Sequence, residues 1–233
     1  MIIEGTISVK SAVINHKRKV NSITVNADKY SKDINYIVAK AHEARIEVIK
    51  ENSNFFLNYP KAGGIIADVS YRDYDLELNK NLIMVVDGIE DPFNLGYIFR
   101  NGACYDADFL INDRAYNESE SVILKSSAGA FDLLNIKASK DLYQDLKSLK
   151  ERGYQIIALN RVVQSKEIFD IDLQDKIVVI LGGEKRGYAK KLNELCDAFM
   201  HIGYDTDFRN AMNATSASGI ALNMLSLKRK GKI

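Results

Sequence analysis

Asn94, Arg100, Glu184 and Asn213 are the side chains of this sequence whose types and settings best suit chemistry, and each lies in a short segment just beyond an apolar run. The first segment, Asp87-Gly-Ile-Glu-Asp-Pro-Phe-Asn94-Leu-Gly-Tyr-Ile-Phe-Arg100-Asn-Gly102, carries a proline at the approach to a helix and an asparagine suited to its N-cap. Arg100 falls more than one and a half turns further on and points away from Asn94; the plain reading is an Asn cap and a surface ion pair. Gly96 and Gly102 within one helix each cost roughly 1 kcal/mol relative to alanine, which points to close approach by another backbone or a ligand. The second segment, Leu181-Gly-Gly-Glu184-Lys-Arg-Gly187, opens like a P-loop but continues Tyr188-Ala189 where a P-loop needs Lys and Ser/Thr, so triphosphate binding of that kind is excluded. Its bare backbone instead suits the edge of an adenine ring, against the plainer alternative of a simple turn with a solvated Glu184. The third, Asn213-Ala-Thr-Ser-Ala-Ser-Gly219-Ile220, starts a helix with Asn213 as cap or ligand, and Ala214, Ala217, Ser218 and Gly219 keep its first turns thin enough to meet a cofactor or another helix.

The elements that position these segments read as α/β. Ser22–Ala27 alternates as a half-buried strand does, Asp33–Ala44 has apolar residues at helical spacing, and Ile46–Ile49 and Gly64–Val69 are strand-like, which makes a small α/β module. The polar, aperiodic stretch 73–81 is taken as a linker between a domain at 1–72 and another at 82–233. Leu82–Val86 is a near-continuous apolar run of the kind buried on both faces of a parallel sheet. Further strands are expected at Phe109–Ile111, Leu134–Ile136, Gln155–Ala158, Ile177–Ile180 and Phe199–Ile202, with helices between most of them, so the sheet should be mainly parallel. A last helix from about Ala214 to Lys230 places Ala217, Ile220, Ala221, Met224 and Leu225 on one face.

Composition narrows the class. Apolar residues make up 46% and charged residues 27%, as in globular proteins with a sizeable core. Residues 1–72 carry 11 Lys/Arg against 7 Asp/Glu, a net of +4, while the rest carry 21 against 24, a net of −3. A basic module joined to an acidic one suggests that the first meets a polyanion, and His16-Lys-Arg-Lys19 is a candidate for RNA phosphates or a solvated loop. Lys228-Arg-Lys-Gly-Lys232 reads as a solubilising tail and His201 as structural. Cys104 and Cys196 read as small buried hydrophobes rather than a disulfide, pointing to a reducing cytoplasm. No Cys/His spacing suggests a metal, no signal-peptide pattern opens the chain, and no apolar run reaches the ~20 residues needed to cross a bilayer.

The ordered spacing Asp-Pro-x-Asn-x-Gly-x-x-x-Arg, Gly-x-Glu-x-x-Gly and Asn-x-[Ser/Thr]-x-Ala-x-Gly-Ile resembles the three motifs of the SpoU (TrmH-type) RNA ribose 2'-O-methyltransferases of the SPOUT superfamily, and the resemblance covers 82–225. It implies a mainly parallel α/β domain with a deep trefoil knot, a homodimer with active sites near the interface, and S-adenosyl-L-methionine as cofactor. The N-terminal residues look like the L30e-like RNA-binding domain of the branch that acts on 23S rRNA. The resemblance makes Arg100, Asn94, Glu184 and Asn213 catalytic, and Leu159, Asn160, Gly182, Gly183, Ile202, Met212, Asn213 and Ala214 cofactor-binding. The implied partners are rRNA or tRNA and a second copy of the chain, with no membrane and no metal. The family account makes the arginine the base; because arginine side chains hold their proton above pH ~12, orienting an RNA phosphate and easing deprotonation of the hydroxyl is the alternative role. Two departures stand out: Ala211-Met212-Asn213 replaces the family's Ser-Leu-Asn, and Ile202-Gly203 replaces its Ile-Pro. They motivate a second expectation, a catalytically impaired RNA-binding relative that keeps the fold and the dimer.

Overall fold

The computed structural model describes residues 1–113, 116–208 and 210–233. Its strands are β1 (Ile2–Glu4), β2 (Val20–Asn26), β3 (Glu47–Glu51), β4 (Ile65–Val69), β5 (Leu82–Asp87), β6 (Asp108–Asn112), β7 (Ile136–Ser139), β8 (Gln155–Leu159), β9 (Ile177–Gly182) and β10 (Ala198–Met200). Its α-helices are α1 (Thr6–Asn15), α2 (Lys32–Glu43), α3 (Pro92–Cys104), α4 (Glu120–Ser126), α5 (Leu142–Glu151) and α6 (Ala214–Arg229). The compact units are discontinuous, where the sequence led us to expect one cut at 73–81. The first joins 1–73 to the described part of 115–133, and the second joins 74–114 to 134–233.

In the first unit, β1-β4-β2-β3 form a sheet in which β2 and β3 are parallel and the other pairs antiparallel. β1 and α1 were not foreseen. Three residues make too short a strand to show alternation, and α1 starts at Gly5 with no side-chain cap and no acidic residue in its first turn. α2 is the opposite case: Ser31 caps it, accepting the Ile34 N–H, and Ile34, Ile37 and Ala41 face the core. Arg18 corrects the expectation for the 16–19 run. Its side chain is buried and bonded to Asp132 (Nη2–Oδ1 2.7 Å) and Glu120 (Nη1–Oε2 2.7 Å), so it is not available to RNA. Burial works against the charged guanidinium, but the hydrogen bonds and charges of Asp132 and Glu120 outweigh it and raise the Arg18 pKa. The backbone N–H of Arg72 donates to the same Glu120 oxygen.

The second unit is built on a sheet of order β10-β8-β9-β5-β6-β7 in which every pair is parallel. All six residues of β5 are buried, as the apolar run predicts. β7 starts two residues later than expected, at Ile136, where it registers with Phe109. α3 is capped by Asp91, whose Oδ1 accepts the Asn94 N–H at 2.8 Å, with Pro92 at its first position. Asn94 therefore lies inside the helix, two positions beyond the proline. Gly102 leaves room for Phe109, whose ring fills the place of a side chain, so the close approach is internal to the unit.

α6 buries Ala214, Ser218, Ala221, Leu222 and Leu225 rather than the expected stripe, and Ile220 is exposed. The basic end is not a free tail: the Lys228 ammonium donates to the carbonyls of Ile168 (2.9 Å) and Phe169 (2.6 Å), and Arg229 to that of Asp175. No helix among the described residues is long and apolar enough to cross a membrane.

Candidate active site

The C-terminal ends of β8, β9 and β10 open onto a cavity of about 350 Å3, the end of a parallel sheet where α/β proteins hold ligands. Leu159, Leu181, Met200, Ile202 and Met212 give it apolar walls, and Asn160, Glu184, Asn193 and His201 add polar groups. His201 is thus a cavity residue, past the end of β10, with its Nδ1 3.1 Å from the Ser165 hydroxyl.

Its floor is a turn made possible by glycine. Gly183 and Gly187 exchange backbone hydrogen bonds (2.8 and 3.2 Å), and the Gly183 N–H also donates to the Asp87 carbonyl at 2.8 Å. A Cβ on Gly182 would lie 2.7 Å from the Tyr188 nitrogen. Gly88, at φ 78°, packs below, where a Cβ would lie 2.5 Å from the Gly187 carbonyl oxygen. Asp87 locks the base of the turn: one carboxylate oxygen accepts from the Asn112 amide and the other accepts the Ala189 N–H at 2.8 Å. Behind the turn, the Tyr188 hydroxyl accepts from the Asn160 amide (3.1 Å) and donates to Asn193 Oδ1 (2.7 Å). Burial raises the Tyr188 pKa, and the Asn160 hydrogen bond offsets part of that rise.

Glu184, Asn213 and Asn94 converge at the start of α6. Glu184 Oε1 accepts the Ala214 N–H at 3.3 Å, Asn213 caps the helix by accepting the Ser216 N–H at 2.8 Å, and Asn94 Oδ1 accepts from the Thr215 hydroxyl at 3.3 Å. Asn101, two turns after Asn94 on the same face of α3, donates to the Thr215 carbonyl and to the Ser218 hydroxyl. That spacing was the available signal for Asn101. For Arg161 and Tyr204, which also line the cavity, the sequence holds none. Gly203 is set by sterics, since a Cβ there would meet a Glu167 carboxylate oxygen at 2.5 Å.

Of the residues expected to hold a cofactor, Leu159, Asn160, Gly182, Gly183, Ile202, Met212 and Ala214 line the cavity, and Asn213 adjoins it as the cap of α6. Arg100 does not line it. It is exposed on α3, on the face that also carries Phe93 (54% exposed) and Tyr97 (43%), and has no hydrogen-bond or ion-pair partner among the described residues. Cys104 is exposed at the end of the same helix, contrary to the buried role expected of it.

Comparison with known proteins places these features. The model of the SpoU rRNA methylase family matches residues 81–223. A Staphylococcus aureus protein assigned to the TrmH family of tRNA/rRNA methyltransferases is 24% identical over 98% of this chain and 96% of its own length. The crystal structure of the SpoU methyltransferase AviRb from Streptomyces viridochromogenes, in complex with the cofactor AdoMet, superposes with a TM-score of 0.82 at 16% identity, covering 100% of this chain and 91% of that one. The crystal structure of an RNA 2'-O ribose methyltransferase gives a TM-score of 0.78 at 18% identity over 99% of this chain and 89% of the other.

Proposed function

Because this chain belongs to the SpoU rRNA methylase family, we propose that it transfers a methyl group from S-adenosyl-L-methionine to a ribose 2'-hydroxyl of RNA, with 23S rRNA as its target. The observation that carries this reading is the cavity at the ends of β8, β9 and β10, where a bare glycine turn meets Glu184 and the capped start of α6. Its residues fit the cofactor. Leu159, Leu181, Ile202 and Met212 offer apolar walls to an adenine, and the backbone at Gly182 and Gly183 lies open because no Cβ could be accommodated there. The bound cofactor supplies an activated sulfonium methyl. Glu184 contributes the negative charge of the glycine turn beside it, and Asn160, held by Tyr188, presents a polar group at the end of β8.

The acceptor must reach the methyl in line, at ~3 Å, and lose a proton. Arg100 is assigned to hold the RNA phosphate and ease that loss. It shares its face of α3 with Phe93 and Tyr97, and Ile220 is exposed on α6, so a second copy covering these groups would bring Arg100 to an interface. The dimer therefore completes the site in this reading. The C-terminal segment, running from edge strand β10 back to Glu184 at the start of α6, supports a knotted path. The first unit, an L30e-like module, takes the RNA through its excess of positive charge.

The test uses purified full-length protein, methyl-labelled S-adenosylmethionine and ribosomal RNA from cells lacking the gene. Mass spectrometry should find a new 2'-O-methyl nucleoside with wild type, and Arg100→Lys should remove nearly all of it while cofactor affinity stays unchanged, since a lysine cannot reproduce the planar fork. Cofactor binding without transfer to RNA would favour the catalytically impaired relative to which Ala211 points. No cofactor binding by calorimetry would overturn both readings.

A further inference from the structure

We propose that Lys185 and Arg186, at the tip of the Gly183–Gly187 turn, form with Lys190 an RNA-phosphate clamp at the lip of the cavity. The inference rests on the reading above and adds a second place where the RNA backbone is gripped.

The turn is rigid and its cations are free. Its base is fixed by the paired hydrogen bonds of Gly183 and Gly187, by Asp87 below, and by the Ala189 N–H on the same carboxylate. Glu184, Lys185 and Arg186 fill the three positions between the paired glycines, and all three are exposed. The one acid among them accepts the Ala214 N–H. Lys185, Arg186 and Lys190 have no hydrogen-bond or ion-pair partner among the described residues, and Arg186 and Lys190 line the cavity. Four cations, Lys185, Arg186, Lys190 and Lys191, fall within seven consecutive residues of a stretch of chain that is net acidic after residue 72.

The acceptor's own chemistry supplies the ligand. A ribose 2'-hydroxyl sits on the carbon next to the one bearing the 3'-phosphate. A hydroxyl brought to a donor inside this cavity therefore carries a phosphate to the cavity's rim, where fixed cations are the groups that hold it. Because such contacts carry no base information, the clamp serves positioning and leaves target choice elsewhere.

The measurement is fluorescence anisotropy of a single-stranded RNA 20-mer against full-length protein, from about 50 to 300 mM KCl, alongside calorimetry with S-adenosylmethionine and methyl transfer to ribosomal RNA. The double variant Lys185→Ala/Arg186→Ala should lower the slope of log affinity against log salt by about 1.4, at ~0.7 per phosphate lost. The KM for RNA should rise at least tenfold, and cofactor affinity should stay within twofold of wild type. The charge-keeping variant Lys185→Arg/Arg186→Lys should restore the slope. An unchanged slope in a wild type that transfers methyl groups would overturn the clamp alone. A large loss of cofactor affinity would also overturn it and assign the turn to the cofactor. A wild type that neither binds RNA nor transfers methyl groups would overturn the proposed function and the clamp together.

Discussion

The guanidinium carbon of Arg161 stands 3.8 Å from the centre of the Tyr204 ring, and the Tyr204 hydroxyl accepts the Met212 N–H at 2.7 Å. These contacts tie the chain beyond β8 to the segment that walls the cavity from Ile202 to Met212. They act beside Ala211, where the family resemblance leads one to expect a serine, and give that segment a hydroxyl anchor from a different residue.

Tyr204→Phe keeps the stack and deletes the anchor. Cofactor affinity should fall about fivefold, the worth of one hydrogen bond near 1 kcal/mol. Tyr204→Ala removes both contacts and should cost more than tenfold. Calorimetry reads both, and a Tyr204→Phe variant with wild-type affinity would separate the hydroxyl from the shape of the site.

Gly88→Ala tests the turn from beneath. The added methyl meets the Gly187 carbonyl oxygen and the residue sits at φ 78°, so a cost of about 1–3 kcal/mol is expected in urea unfolding. Cofactor binding should weaken with it, because the displaced backbone is the cavity floor.

Arg18→Met leaves Glu120 and Asp132 buried without their cation. Loss of one partner from such a group costs about 3–5 kcal/mol, which a urea melt of the full chain would show. A change under 1 kcal/mol would mean that water reaches these carboxylates.

The two thiols should differ. Burial pushes the Cys196 thiol up to about 11, with the nearby Asp197 charge adding to the rise, whereas Cys104 is exposed. Iodoacetamide at mild alkaline pH should label Cys104 first in the folded protein. The folded chain keeps the Cys196 proton when the unfolded chain, at the usual 9.0, has lost it. Stability from this group is therefore intact below 9.0 and falls as pH climbs from 9.0 towards about 11. Melts across that window check the sign against a Cys196→Ala variant, whose decline should be shallower.

What the sequence showed depended on how local the cause was. β5, β8 and β9 were legible because a strand buried on both faces writes a continuous apolar run. The cap of α3 was misplaced by three residues, since Asp91 and Asn94 are both good caps and only the structure shows that Asp91 fills the role. On α6, Ser218 looked too polar for a buried face, yet the Asn101 amide satisfies its hydroxyl. Arg18 lay wholly out of reach. Its basic neighbours made it look solvated, while the carboxylates that bury it come from 102 and 114 residues away. Arg161 and Tyr204 were hidden for the same reason, being joined only once β8 and the later segment are folded.

That separation bears on how the protein is made. A ribosome releases Arg18 long before Glu120 and Asp132, so the nascent first unit must wait, with its cation unanswered, for more than a hundred further residues of synthesis. Stalled chains ending near residue 80 should remain sensitive to protease, and protection should arrive only once residue 132 has cleared the exit tunnel.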